Sequence, residues 1–285
     1  MLEFDKYHFQ FSHFKRKPSI GVTTTRGCTH RCLFCFRTYP VQTDYLRYRS
    51  PENVVDEIEE CVNKYGVKDV RFWDDIFFSD QKRVFAICKE IKDRKLDITW
   101  QCNARVDQVN SKILKAVKDA GCYSVLYGVE SGVQKNINRL RKNITLDQVK
   151  KAVKITKEAG IEVHLSFIFG IPGETFFEGL KTIKFAFNLK SEIYDFQYFA
   201  PFPGSDSYLQ INDLGRLVSN PETMLDISFV PFTMTKVQLK TLNLLSLLLH
   251  KFDLYLRRPY FSLKYYLKRI NSFSDFKHAI KIYTI

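Results

Sequence analysis

A strand-like run followed by an amphipathic stretch recurs along residues 20–199, and this alternation limits the fold more than any other feature of the 285-residue chain. Val54, Val55, Ile58, Cys61, Val62 and Tyr65 fall on one helical face, with Ser50 placed as N-cap, Pro51 as first helical residue and Gly66 as terminator. Residues 69–73 then read as a short buried strand ending in Asp74 and Asp75. Helical periodicity returns through Val84, Ile87, Cys88 and Ile91, and again through Ile113, Leu114 and Val117 up to Gly121. It recurs through Val149, Val153 and Thr156 up to Gly160, and through Phe176, Leu180, Ile183 and Phe187. The apolar runs between them, residues 98–102, 123–129, 163–169 and 194–199, join residues 20–24 and 69–73 to make six strands. Strands alternating with helices of this length imply right-handed crossovers and a parallel sheet.

An α/β barrel, open or closed, suits the pattern better than a flat doubly wound sheet, because polar residues gather after every strand rather than at one switch point. In order they are the Cys28 loop, Asp74 and Asp75, Asn103 and Arg105, Glu130 and Ser131, residues 170–174, and residues 201–205, all expected on one rim. The expected organisation is a lead-in over residues 1–18, a (β/α)6 core over 19–211 and a helical, basic and aromatic extension over 212–285. In that extension Leu239, Leu242, Leu245, Leu249 and Phe252 form an apolar helical stripe, expected to pack on the barrel.

The formal charge of +13 points to contact with something acidic, such as nucleic acid, lipid head groups or a phosphorylated substrate, or else to a merely basic surface. Eight Lys or Arg against two Asp lie in residues 251–285, interleaved with aromatics, which makes this tail a candidate interaction surface. The first residues lack the apolar core of a signal peptide, and the longest greasy run, residues 242–249, is far shorter than the roughly 20 residues of a spanning helix. A cytoplasmic protein is expected. Seven cysteines, three of them clustered, suit a metal site in a reducing compartment better than a disulfide framework.

Cys28, Cys32 and Cys35 place three thiols within eight residues directly after the first strand. Structural zinc wants four closed ligands, and no second Cys or His pair of suitable spacing follows; His30 as a fourth ligand would strain the loop. An iron–sulfur cluster normally takes four thiolates, so three leave one iron open to a further ligand. The amino and carboxylate groups of a methionine moiety make a chelate of suitable size.

The C-x3-C-x2-C loop, with aromatic Phe34 before its third cysteine, resembles the radical S-adenosylmethionine superfamily over residues 19–206. The resemblance implies a partial, TIM-like (β/α)6 barrel and a 4Fe–4S cluster held by Cys28, Cys32 and Cys35. It implies that the open iron chelates S-adenosylmethionine, that one electron cleaves its sulfonium bond, and that a 5′-deoxyadenosyl radical removes hydrogen from a substrate. Phe34 would lie near the adenine. Asp74 and Asp75, standing where the family more often has Gly-Gly-Glu, would meet the methionine ammonium. Asn103 and Arg105 share one strand face with Gln101, and Arg105 would pair with the methionine carboxylate. Glu130 in Gly128-Val129-Glu130-Ser131-Gly132 resembles the ribose-contacting position. Residues 166–174 resemble the adenine motif of the fifth strand, with Ser166 in place of its usual first glycine and the acid displaced by one place; Ile168 would pack on the adenine and Gly170 permit close backbone approach, Glu174 reads as a helix cap, and Pro201 and Phe202 open the adenine-side loop after the sixth.

Residues 48–53, Trp73-Asp74-Asp75, residues 128–132, Pro172-Gly173-Glu174 and residues 201–204 look most like the cobalamin-linked branch of that superfamily. No Asp-x-His-x-x-Gly occurs, so cobalamin is expected only if another chain supplies it. The resemblance also implies a flavodoxin- or ferredoxin-type one-electron donor and a small-molecule or lipid-like substrate to be methylated, cyclised or otherwise functionalised at carbon. The basic tail adds an expected peripheral contact with membrane. The competing readings are a catalytically degenerate partner subunit of the same fold and a zinc-loop protein that binds nucleic acid.

Overall fold

The computed structural model describes residues 15–35, 46–219 and 226–253. Strands β1 (Ser19–Val22), β2 (Asp69–Phe72), β3 (Thr99–Ala104), β4 (Cys122–Glu130), β5 (Glu162–Phe169) and β6 (Ile193–Tyr198) form one sheet. Its spatial order is the order of the chain and every pairing is parallel. Strands β1 and β6 do not pair with each other, so the sheet is an open, partial TIM-like barrel. The first strand ends earlier than the sequence pattern places it, which leaves Thr24 in the loop that follows.

The returns run through α1 (Pro51–Tyr65), α2 (Gln81–Asp93), α3 (Ser111–Asp119), α4 (Gln134–Arg139), α5 (Leu146–Glu158) and α6 (Phe176–Asn188). Their ends follow from local chemistry. Ser50 accepts from the Asn53 N–H at the start of α1, and Gly66, at φ 63°, closes it in the left-handed conformation only glycine adopts freely. Thr145 with Gln148 and Thr175 with Glu178 make reciprocal capping boxes on α5 and α6.

Alternation along each strand divides the molecule into two interiors. Trp100 and Cys102 of β3 point outward to the helices, while Gln101 and Asn103 point into the barrel. The outer core is aromatic under α2: Phe72 stacks on Phe77 at 4.8 Å, and Trp100 meets Phe72 edge-on while its indole N–H donates to Ala120 O at 2.7 Å.

After β6 come two one-turn helices, Asp206–Leu209 and Ile211–Leu214, and a two-stranded antiparallel ribbon of Gly215–Leu217 with Phe229–Pro231. Helix α7 (Lys236–Phe252) then lies against α6, β5 and β6. Leu239 and Leu242 are buried there, and Gly179 of α6 makes the close approach, since a Cβ on it would stand 2.4 Å from Leu242 Cδ1. The expected stripe is only half realised. Ser246 takes the third buried position, whereas Leu249 and Phe252 are 41% and 48% exposed. No helix among the described residues is long and apolar enough to cross a membrane. The basic tail beyond residue 253 lies outside the described residues, as does the start of the lead-in.

Glu174 is not a helix cap, because Thr175 holds that place. Its buried carboxyl turns back instead to accept from the Gly170 and Ile171 N–H groups, at 2.8 and 3.3 Å, and from Asn136 Nδ2 at 3.3 Å. It staples the loop after β5, where Gly170 and Gly173 adopt φ of 82° and 75°. Burial pushes the carboxyl up to about 8, against the two backbone donors that favour its charge. The fold therefore keeps a proton that the unfolded chain releases near 4.5, and this contribution to stability is lost as pH rises through about 8. Glu174→Gln is expected to flatten the decline in Tm between about pH 5 and pH 8 measured by circular dichroism; an unchanged decline would assign that titration elsewhere. Leu242→Ala, opening a void over Gly179, is expected to cost about 2–5 kcal/mol in denaturant unfolding.

Candidate functional site

The carboxyl ends of all six strands converge on one rim, and the loop carrying Cys28, Cys32 and Cys35 covers its β1 side. Two buried ties fix the start of that loop. The Asp74 carboxylate, at the end of β2, accepts from the Thr24 and Thr25 N–H groups at 2.6 and 2.9 Å and from the Thr24 hydroxyl. Arg83 of α2 donates to Thr24 O at 3.0 Å and to Arg49 O at 2.9 Å. The far side of the loop is clamped through Leu33, whose N–H donates to Leu140 O at 2.9 Å and whose carbonyl accepts from Ser207 N–H at 3.0 Å. This corrects the expectation for Asp74: both of its oxygens are engaged by the loop. Asp75, exposed beside it, is the carboxylate that remains at the rim, within electrostatic reach of Cys28 and Cys35.

Cys32 is buried, Cys28 half-buried and Cys35 exposed. Loss of solvent is the first cause raising each thiol above its ordinary value; at Cys28 the His30 N–H opposes it, and at Cys35 the two neighbouring sulfurs add to it. Two cations counter the rise at Cys32, Lys142 most and then Arg105. Positive charge beside a thiol favours the thiolate, the form that ligates metal.

Lys142 sits in the turn after α4, buried, with Nζ on the Glu130 carboxylate and 6.0 Å from the Phe34 ring centre. No spacing rule in the sequence links it to the site. It arrives because Arg141 and Asn143 on either side take left-handed backbone, φ 53° and 55°, and bend the chain inward. Glu130 is aimed at it by a register shift between Gly128 and Glu130, where Glu130 itself adopts φ 69°. A non-glycine residue held there costs of order 1–3 kcal/mol, which the buried pair and the sheet must offset. Gly128 leaves the space between them, since a Cβ there would lie 2.5 Å from Glu130 Oε1 and 2.6 Å from Lys142 Nζ. Arg105 is likewise engaged: it grips Asp107 through Nε and Nη2 at 3.0 and 2.8 Å and donates to Lys142 O at 2.9 Å.

Ile168 at the end of β5 belongs to a small apolar cluster with Leu140, Ile171, Phe199 and Phe229, against which Phe34 packs. Ser166 is half-buried one step below Ile168, Pro201 is buried and Phe202 half-buried, and the Phe202 carbonyl accepts from Ser205. Gly170 is held by Glu174, and Asn103 keeps a buried Oδ1 without a hydrogen-bond partner. The rim thus combines three thiols, a carboxylate–ammonium pair, one exposed carboxylate and an apolar slot lined by Phe34 and Ile168.

Residues 22–186 match the family described as the Radical SAM superfamily. An uncharacterized methyltransferase of Pyrococcus horikoshii is 37% identical over 188 residues, 66% of this chain and 41% of that protein. The anaerobic magnesium-protoporphyrin IX monomethyl ester cyclase of Rubrivivax gelatinosus is 30% identical over 216 residues, 75% of this chain and 38% of that protein. The chain therefore spans less than half the length of these curated relatives. Among solved structures, the radical S-adenosylmethionine methyltransferase TsrM from Kitasatospora setae, with cobalamin and a [4Fe-4S] cluster bound, superposes with a TM-score of 0.62. It is 19% identical, and the match covers 76% of this chain and 44% of that one, a likeness of fold. An open six-stranded parallel barrel with three thiols on its first rim loop, matched over residues 22–186, places the chain in the Radical SAM superfamily, whose members use a 4Fe–4S cluster and S-adenosylmethionine.

Proposed function

We propose that residues 19–211 form the core of an enzyme that cleaves S-adenosylmethionine reductively, with Cys28, Cys32 and Cys35 as the cluster ligands. The observation that carries this reading is the cysteine loop itself: three thiols on a loop whose backbone is tied at Thr24 by Asp74 and at Leu33 by Leu140 and Ser207, with the cations Lys142 and Arg105 beside the buried thiol. The donor set suits a cluster with one open iron, because three thiolates are supplied and the cations offset part of their charge. A cluster held by Cys28, Cys32 and Cys35 would supply the one-electron reduction that cleaves S-adenosylmethionine and so allow removal of hydrogen from a substrate.

The chain's own residues hold and orient. Asp75 is the rim carboxylate suited to an ammonium group, Glu130 accepts ribose hydroxyls while Lys142 fixes its direction, and Asn103 Oδ1 is an acceptor still to be met. Phe34, Ile168 and Gly170 enclose the adenine, with Ser166 below and Pro201 and Phe202 on the far side. Arg105 positions the turn at Lys142 and the Cys32 thiol. Asp107 and Lys142 engage it, so its reach to a methionine carboxylate is smaller than the sequence implies.

A methylation or cyclisation at carbon is the reaction favoured by the relatives named above, with a flavodoxin- or ferredoxin-type donor, and with cobalamin on a second chain if a methyl group is transferred. A peripheral contact with a lipid surface fits the outward side of α7, which exposes Val237, Leu244 and Leu248, carries Lys236, Lys240 and Lys251, and has no acidic residue along its length, while a small or lipid-like substrate is received at the rim.

Anaerobic reconstitution is expected to give about four irons per chain. Cys28→Ala, Cys32→Ala or Cys35→Ala should each abolish the brown chromophore, and Cys61→Ala, partly buried where α1 packs on the outer core, should keep it; loss at Cys61 would refute the ligand assignment. Asp75→Asn and Glu130→Gln are expected to retain iron while weakening S-adenosylmethionine binding about ten- to hundredfold each by equilibrium dialysis, the worth of a charge-assisted hydrogen bond. Unchanged affinity in both would remove those contacts from the site.

A further inference from the structure

Below the thiol rim, the barrel interior contains a buried arginine that the cluster and cofactor reading leaves unused. Val70 and Phe72 of β2 belong to the outer core, so Arg71 and Trp73 point inward. The strand register sets Arg71 beside Gly21 of β1 and Gln101 of β3. Arg71 is 7% exposed and its Nε is buried without a partner; neither Nη makes a hydrogen bond or ion pair with any described residue. Its guanidinium stacks on Trp73, whose ring centre lies 4.1 Å from Cζ. Gly21 provides room for that indole, since a Cβ there would stand 2.5 Å from Trp73 Nε1.

An arginine buried for structural reasons meets a carboxylate or a set of carbonyls. Here the carboxylate whose charge reaches it across the lumen is Asp195 of β6, and Asp195 is hydrogen-bonded to His164 Nε2 at 2.8 Å. Arginine does not discharge in a protein, so a guanidinium with no acceptor is costly to bury unless something else supplies one. Stacking on an indole uses the face of a guanidinium and leaves its edge, the side that binds oxyanions bidentately, without a protein acceptor at Nε.

We propose that Arg71, roofed by Trp73 and faced across the lumen by the His164–Asp195 pair, anchors an oxyanion of the substrate, a carboxylate or a phosphate. That the ligand is the substrate rests on the function proposed above; that the site takes an anion rests on Arg71 alone.

The test uses the full chain, reconstituted anaerobically and free of S-adenosylmethionine, titrated with succinate or inorganic phosphate at constant ionic strength against chloride. The chain has two tryptophans, and Trp100 is fully buried while Trp73 is 52% exposed, so the acrylamide-quenchable part of the tryptophan emission reports on Trp73. A saturable change with succinate identifies a carboxylate site and one with phosphate a phosphate site, and either should weaken at least about tenfold in Arg71→Met and in Arg71→Lys, which keeps charge but not the fork. Arg71→Met should also raise the Tm of the ligand-free protein by removing an unpaired buried charge. The proposal is overturned if neither anion gives an Arg71-dependent response, if chloride gives the same one, or if Arg71→Met lowers the Tm. Loss of S-adenosylmethionine affinity in Arg71→Met would overturn it by assigning the guanidinium to the cofactor. A parent protein that holds neither iron nor S-adenosylmethionine would instead refute the functional reading, and an Arg71-dependent anion response would survive it.

Discussion

Parallel pairing is the constraint from which the rest of this molecule follows. A parallel neighbour cannot be reached by a tight turn, so each strand hands the chain to a helix that returns along the outside. Five such returns bring six carboxyl ends to one rim, where short loops meet although their residues lie up to some 170 positions apart. The cysteine loop, the Asp74–Asp75 step, the Glu130 bulge and the Gly170 turn are neighbours for that reason alone.

What the rim then requires is control of buried charge. Asp74 has both oxygens occupied by the backbone and hydroxyl of the β1 loop, and Glu130 has Lys142. Arg105 has Asp107. Glu174 resolves the same problem differently, since burial raises its carboxyl until the neutral form serves as acceptor for the loop it staples. Each arrangement fixes a loop more rigidly than apolar packing would, because a hydrogen-bonded charge taken from water tolerates little displacement. The cations nearest the thiols are held by these same networks, so the loop's geometry and its electrostatics are set together.

The inner faces of the strands differ from the outer ones. Outward positions are occupied by Val70, Phe72, Trp100, Cys102, Val125 and Tyr127, continuous with the helices. Inward positions carry Arg71, Gln101, Asn103, His164, Ser166 and Asp195, a composition that would be destabilising in a closed core and is suited to a chamber that receives a polar ligand. Helix α7 covers the α6 side of the barrel with Leu239 and Leu242 and leaves a second, apolar and basic surface outward.

The residues along the chain determine its elements and their order. Helical spacing in α1 to α3, α5 and α6, Ser50, Pro51 and Gly66 at the ends of α1, and the cysteine spacing are local signals whose physics acts over a few residues, so they were legible before any folding was considered. The short α4 escaped that reading because a helix of six residues offers too few positions for periodicity to show. Which carboxylates stay at the rim was not legible. Asp74 and Asp75 are adjacent and chemically identical in the sequence, and only the close passage of the β1 loop engages one and leaves the other. Lys142, twelve residues from Glu130, and Arg71, an unremarkable arginine in a buried strand, acquire their meaning in the same way. Whether a charge is paired, stranded or exposed depends on distances of a few ångströms between segments far apart in the chain, and the packed barrel alone sets those distances.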